Sequence, residues 1–356
     1  MSRIDTFLEL LVKQDGSDLH LVSGNPPRIR LHGDLVAVKY RELSAAETMG
    51  LVSEIMPDPA RVAFEKRNSI DFAYAVDGMA RFRVNVYRHI NGVGAVLRVI
   101  PSAIKSMEEL GLPSVLATFC QQKKGLVLCT GPTGSGKSTS LAALVDHVNS
   151  TRKGHILTIE DPIEFVHQNK QSLVSQREVG FDTRSFAAAL HSALREDPNV
   201  ILVGEMRDLE TISLAVTAAE TGILVLGTLH TNGAAATVDR IVNVFPPGDQ
   251  GRIRSMLSTS LLGVVSQQLV RRSDGKGRVA ALEILVNNPA VANILRDGKT
   301  EQIATAIQSG SLQGMQSMDT ALKRLLDAKQ VIGKDAYRKA IDKKLFEMYA
   351  EPDLAA

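Results

Sequence analysis

Gly131-Pro132-Thr133-Gly134-Ser135-Gly136-Lys137-Ser138-Thr139 follows an apolar run, Leu126 to Cys129, and precedes a helix-forming run, Leu141 to Val145. A strand, a glycine-rich turn, a lysine with a following hydroxyl and then a helix make a Walker A pattern in the context it requires. The glycines let successive backbone N–H groups point inward at a phosphate, and the helix N-terminus adds its partial positive charge there. Lys137 is expected to reach the β- and γ-phosphates, and the Ser138 hydroxyl to sit on a magnesium ion that bridges them. A plain glycine-rich turn before a helix is the competing reading, and it leaves the lysine and the hydroxyl unexplained. The stretch therefore predicts a nucleoside triphosphate site on an α/β domain.

The rest of the chain is long enough for more than that one domain. Its 356 residues exceed the ~250–300 at which a single core usually stops growing. Basic and acidic residues nearly balance, 41 against 39, so bulk charge gives no reason to expect a nucleic-acid partner. Trp is absent and aromatics are scarce, which leaves few platforms for stacking single-stranded bases. No apolar run approaches the ~20 residues of a membrane span, and the N-terminus lacks a signal peptide's basic start and apolar core, so a cytoplasmic protein is expected. Cys120 and Cys129 are the only cysteines. Two cannot build a disulfide framework or a four-cysteine zinc site, and the histidines show no metal-ligand spacing.

Along the chain, Ile4, Phe7, Leu8, Leu11 and Val12 recur at helical spacing. Short strands are predicted over Leu19 to Val22, Ile29 to Leu31 and Leu35 to Val38, with His32-Gly33-Asp34 as a turn. Ser44-Ala45-Ala46-Glu47 is a capping box, and a further short helix is predicted over Ala60 to Lys66. From Ser69 the period becomes two, interrupted by Asp77-Gly78 and Asn91-Gly92, which predicts a three-stranded meander. Arg81, Arg83, Asn85 and Tyr87 then share the face opposite the core, where a solvated polar surface is the plain reading. These segments form a small α+β domain over residues 1–100, followed by a linker over 101–113. From 114 to 356, strands at Leu126 to Thr130, His155 to Ile159, Val200 to Val203 and Ile223 to Gly227 alternate with helices, predicting a parallel sheet covered on both faces. Helices are expected to fill the chain from about 289 onward.

Three further elements carry chemistry. Val200 to Glu205 is a buried-strand run ending in a carboxylate, the shape of a Walker B element, with Gly204 where an aspartate often stands. Glu205 is then expected to act on magnesium itself, partly through water. Ile156 to Phe165 places Glu160, Asp161 and Glu164 at the end of a strand, the edge that faces the ligand crevice in open α/β sheets. Hydrolysis needs a carboxylate to orient a water and accept its proton, and Glu164 is the first candidate. Leu226 to Asn232 ends another strand in hydrogen-bonding side chains. His230 is either a sensor of the γ-phosphate or a satisfied structural residue. Arg195, Arg207 and Arg240 lie near these elements, either against phosphate or in surface ion pairs.

In that order, GPTGSGKST, ILTIEDPIEF, VILVGEMRD and GTLHTN resemble the Walker A, aspartate box, Walker B and histidine box of the secretion ATPase superfamily. Within it the chain is similar to the type IV pilus retraction ATPases, the PilT group, to about residue 330. Ala290 to Lys299 resembles that group's AIRNLIREGK motif, with Ala292 in place of its arginine, and Gly314 to Asp319 its GMQTLD-like segment. The resemblance implies a PAS-like N-terminal domain, a RecA-like ATPase domain and a homohexameric ring with ATP held between the two domains. It also makes Arg81, Arg83 and Arg98 candidates to reach nucleotide. It implies docking on an inner-membrane pilus platform protein, with hydrolysis driving pilin removal.

Pilus-assembly and type II secretion ATPases carry a long extra N-terminal region and a four-cysteine zinc element, which favours retraction here. The alternatives are a paralogous accessory retraction ATPase, which is also a possible partner, a nucleic-acid-translocating ring, and a nucleotide-gated binding module.

Overall fold

The computed structural model describes residues 2–31, 33–100 and 103–350. The chain divides into two compact units, Met1–Ala103 with Pro162–Val166, and Ile104–Asp161 with His167–Ala356. His32, in one expected turn, and Pro101 and Ser102, where the linker was expected to begin, lie outside the described residues.

The first unit opens with helix α1 (Asp5–Lys13) and the strands β1 (Asp18–Val22), β2 (Arg28–Leu31) and β3 (Asp34–Ala37). Helices α2 (Ala45–Ser53) and α3 (Asp58–Arg67) follow, then the meander β4 (Ser69–Val76), β5 (Ala80–His89) and β6 (Gly92–Ile100). The capping box is realised: the Glu47 amide donates to Ser44 Oγ at 3.2 Å, and Glu47 Oε2 accepts from the Ser44 amide at 2.9 Å. The strands form one antiparallel sheet in the order β3-β2-β1-β6-β5-β4. Period-two alternation along β5 buries Phe82, Val84 and Val86 and leaves Arg81, Arg83, Asn85 and Tyr87 on the opposite face. The buried face packs with Leu8, Leu11, Phe64, Phe72 and Leu97 into a single core.

In the second unit α4 (Val115–Gln121) leads into β7 (Gly125–Thr130), α5 (Lys137–Thr151), β8 (His155–Glu160) and β9 (Leu173–Glu178). The chain continues through α6 (Phe186–Ala193), β10 (Val200–Val203), α7 (Leu209–Thr221), β11 (Leu224–Leu229), α8 (Ala234–Asn243) and α9 (Pro247–Ser260). A hairpin, β12 (Leu261–Arg271) and β13 (Arg278–Val286), precedes α10 (Pro289–Asp297), α11 (Ile303–Ser309), α12 (Met318–Asp327) and α13 (Gly333–Lys339). The sheet order is β13-β12-β7-β11-β10-β8-β9. Every residue of β7, β10 and β11 is buried, because helices cover both faces. Leu144, Val145 and Phe119 pack on one face, and Leu190, Ile212, Ile241 and Ile253 on the other.

The four strands expected to be parallel, β7, β8, β10 and β11, are parallel. Strands β9 and β12 extend the parallel run and β13 runs antiparallel to β12; neither β9 nor this hairpin was anticipated as strand. Both cysteines are buried and their thiols pushed up to about 12 by desolvation, so they are inert packing residues. Among the described residues no helix is long and apolar enough to cross a membrane.

Candidate nucleotide site

The sheet register decides what can meet. Thr130 at the end of β7 pairs with Leu229 at the end of β11, and Val203 at the end of β10 pairs with Gly227 of β11 and Ile159 of β8. The loops that leave these four strands therefore open at one edge, the edge where open α/β sheets take their ligands.

The first loop joins β7 to α5. Gly131, Gly134 and Gly136 have φ of 138°, 76° and 87°, which side-chain-bearing residues rarely adopt. Gly131 and Gly136 are also crowded: an added Cβ would stand 2.3 Å from the Gln267 carbonyl oxygen at Gly131, and 2.8 Å from Gln267 Nε2 at Gly136. Pro132, Thr133 and Gly134 are exposed at the crest, and Ser138 and Thr139 half-buried on the first turn of α5. Lys137 is buried, its Nζ donating to the carbonyls of Gly131 at 2.7 Å and Pro132 at 3.1 Å, so its ammonium is held inside the loop's curve. Ser135 Oγ is buried and has no hydrogen-bond partner among the described residues. A hydroxyl left so costs about 1–3 kcal/mol. With the Lys137 ammonium held in the same loop, this hydroxyl belongs to a donor set that fits phosphate oxygens.

Glu205 emerges from β10 one residue after Gly204. Its Oε1 lies 3.2 Å from His230 Nε2, so the structure brings together the Walker B carboxylate and the histidine at the end of β11. Arg207 Nε donates to the same oxygen, and this bond raises the guanidinium's pKa. The Arg207 side chain is 76% exposed, and such a pair contributes only ~0–1 kcal/mol, so it leaves Glu205 able to turn to a cation. Thr228 Oγ1 donates to the Gly204 carbonyl and the Met206 amide donates to the Thr228 carbonyl at 3.0 Å, which stitches the two strand exits together. Gly204 itself has a packing reason. A Cβ there would lie 3.0 Å from the Ile159 carbonyl oxygen and 3.2 Å from Glu160 Cα.

Among the described residues no three His, Cys, Asp or Glu side chains converge as a metal cluster. The oxygen donors of Ser138 and Glu205 suit a magnesium ion, which takes one or two protein ligands and fills the rest of its octahedron with phosphate and water.

The carboxylates after β8 separate. Glu160 Oε1 accepts from Thr158 Oγ1 at 2.7 Å and from Gln176 Nε2 at 3.2 Å, which ties it to β8 and β9. Asp161 is exposed. Glu164 is half-buried between the buried Ile163 and Phe165, within the segment Pro162–Val166 that belongs to the first unit, and its carboxylate makes no hydrogen bond or ion pair among the described residues.

The arginines of the first unit are also placed. Arg83 Nε lies 3.7 Å from Asp71, Arg81 shares its face of β5, and Arg98 Nε donates to Asp18 Oδ1 at 2.8 Å. Burial pulls the Asp18 carboxyl up, but the Ser17 hydroxyl and Arg98 outweigh it and hold the group below its usual value. Arg195 does not join the second unit's site: it contacts His191 at 3.4 Å at the opposite edge of the second sheet, where the adjacent Glu196 carbonyl meets His155 at the start of β8.

Three polar side chains near this edge escaped the reading of the sequence. Gln267 on β12 touches the Walker A loop. Ser266 Oγ accepts from the Gly233 amide at 2.9 Å, and Glu283 Oε1 on β13 accepts from the Ala234 amide at 2.7 Å, so both hold the start of α8 just after His230. The available signal was a Ser266-Gln267-Gln268 run inside an otherwise apolar stretch, Leu261 to Val270.

A covered, mainly parallel sheet with a Walker A loop at its carboxyl edge, and a carboxylate and a histidine from two neighbouring strands beside it, defines a P-loop ATPase fold of the secretion type. A family model described as type II/IV secretion system protein matches residues 1–331, and the chain belongs to that family. It is 52% identical over 335 residues to the type IV pilus retraction ATPase PilT of Pseudomonas aeruginosa, covering 94% of this chain and 97% of the relative. It is 42% identical over 332 residues to the type IV pilus ATPase PilU of the same organism, covering 93% and 87%. A crystal structure of the pilus retraction motor PilT with bound ADP superimposes with a TM-score of 0.90 at 43% identity, covering 98% of this chain and 99% of that one. The resemblance drawn from the four motifs is thus borne out, as is the pairing of an N-terminal with a C-terminal ATPase domain.

Proposed function

We propose that this chain is an ATP-hydrolysing motor that powers type IV pilus retraction. The observation that carries the hydrolytic reading is the 3.2 Å approach of His230 to Glu205, at the edge onto which the Walker A loop opens. The retraction reading is supported by similarity to PilT over nearly its whole length. Identity is higher to the retraction ATPase PilT, 52%, than to the type IV pilus ATPase PilU, 42%, which supports the retraction reading.

In this reading the loop amides of Gly131 and of residues 133–136, together with the Lys137 ammonium, bind the β- and γ-phosphates of ATP. Ser138 and Glu205 would hold a magnesium ion, Glu205 partly through water, and the ion would supply positive charge against the phosphates. Glu164 orients the attacking water and takes its proton as oxygen bonds to the γ-phosphorus and the bond to the β–γ bridging oxygen breaks. His230 follows the position of Glu205 and passes on whether a γ-phosphate is present. Arg81, Arg83 and Arg98 are the first unit's candidates for nucleotide contact. Differential contacts in the ATP and ADP states then drive the units through their cycle in a six-membered ring. The ring works in the cytoplasm against an inner-membrane pilus platform protein, alone or beside a paralogous ATPase.

Deleting the gene in its host and scoring surface pili tests the assignment. A retraction motor's loss leaves more pili and no twitching; loss of an assembly motor leaves none. ATPase activity that DNA stimulates, with binding that weakens steeply in salt, would instead support the nucleic-acid reading.

A further inference from the structure

Gln267 lies on β12, and its backbone and side chain both abut the Walker A loop. Ser266, one residue earlier, pairs in register with Thr130, the last residue of β7, so Gln267 stands level with the point where the loop departs. The side chain is buried and doubly bonded. Its Nε2 donates to the Ser135 carbonyl at 2.8 Å, and its Oε1 accepts from Ser140 Oγ at 2.8 Å. A carbonyl can only accept, so the amide nitrogen must face Ser135, and the orientation of the side chain is fixed by the network. One residue thereby ties Ser135 in the loop to Ser140 of α5. Gly136 and Gly131 stand against the same residue, so a Cβ at either would crowd it in addition to straining a backbone of positive φ.

We infer that Gln267 is a positioning residue for nucleotide binding: it fixes the Ser135 peptide relative to α5 so that the loop's N–H groups converge on the phosphates. The inference rests on the nucleotide reading of the loop. It adds a residue some 130 positions downstream, from a strand that carries none of the four motifs. Because the brace is made within the protein, it serves bound substrate and transition state alike. Its loss therefore raises KM and leaves kcat nearly untouched.

The test uses the full-length protein, ATP turnover and a fluorescent ADP analogue with magnesium. Gln267→Met keeps the side chain's length and removes both hydrogen bonds. The expected result is a roughly tenfold rise in KM and in the ADP dissociation constant, with kcat within about twofold of wild type. Ser140→Ala removes only the bond to Oε1, so a rise of roughly threefold is expected, and it keeps the test decisive if Gln267→Met folds poorly. The double variant should bind no worse than Gln267→Met alone, because both changes act through one brace. If melting temperatures fall but KM and the ADP constant stay at wild-type values in both variants, Gln267 is a packing residue and the inference is overturned. A wild-type protein that binds no nucleotide overturns the underlying reading and the inference with it; equal binding by wild type and variants overturns the inference alone.

Discussion

Gly204 stands one residue before the carboxylate that the Walker B strand presents, where an aspartate is common in related sites. The Ile159 carbonyl and Glu160 Cα close the space that any side chain would need. Gly204→Asp should therefore not improve the metal site. It forces displacement of β8, costing about 1–3 kcal/mol, and thermal unfolding should record a melting temperature several degrees lower; an unchanged one would refute the packing explanation. Glu164 carries the opposite kind of prediction. Glu164→Gln should lower kcat by roughly 10²–10⁴-fold while ADP affinity stays within about twofold, because the residue acts on the water and not on the bound phosphates. Steady-state turnover alongside equilibrium binding decides it, and undiminished turnover would remove Glu164 from the mechanism.

Strand β13 places Glu283 against two helix starts, accepting from the amides of Ala234 on α8 and Met318 on α12. Burial raises its carboxyl above the ordinary value, Asp319 adds to the rise, and the two amides oppose it. The folded chain thus binds this proton more tightly than the unfolded one. The stability so contributed is complete below the unfolded value and is lost as pH rises through the folded one. Glu283→Gln should accordingly gain on wild type in denaturation midpoint as pH goes from about 4 to about 8. A gap that does not change with pH would show that Glu283 titrates alike in both states.

The same hairpin marks where the sequence became hard to read. Helices α1, α2 and α5, the meander β4 to β6 and the strands β7, β8, β10 and β11 were legible, because a period, a cap or a Gly-containing turn marks each locally. Strand β9 was not: at the sheet's edge it reads Leu-Val-Ser-Gln-Arg-Glu, with an exposed Leu173 and no apolar run. Strand β12 was hidden by a register shift between Leu261 and Gly263 and by the polar Ser266 and Gln267 in its buried middle. Their partners, Gly233 and Ser135, lie elsewhere in the chain, so no window of sequence contains the pair. Glu205 and His230 were legible singly, as strand-end residues; their contact needed the β10–β11 register.

For the whole molecule, the retraction reading predicts a concentration-dependent step. Per-chain ATPase activity should rise with protein concentration in parallel with the appearance of a six-chain species in sedimentation, and activity carried fully by the monomer would exclude a ring. The match to PilT over 97% of that protein's length makes this the natural scale on which to test coupling. Single-chain variants report the chemistry, whereas twitching reports the work.

The grouping of Pro162–Val166 with the first unit bears on how the protein can be taken apart. No single cut separates the two units. A fragment beginning at Ile104 would carry those five residues away from the body they belong to, with Ile163 and Phe165, both 8% exposed in the intact chain, turned out to water. Such a fragment should be poorly soluble. Replacing Ile163 and Phe165 with polar residues should restore its solubility without restoring turnover, since Glu164 would still lack the surroundings that hold it. Co-expressing residues 2–100 as a separate chain should rescue both.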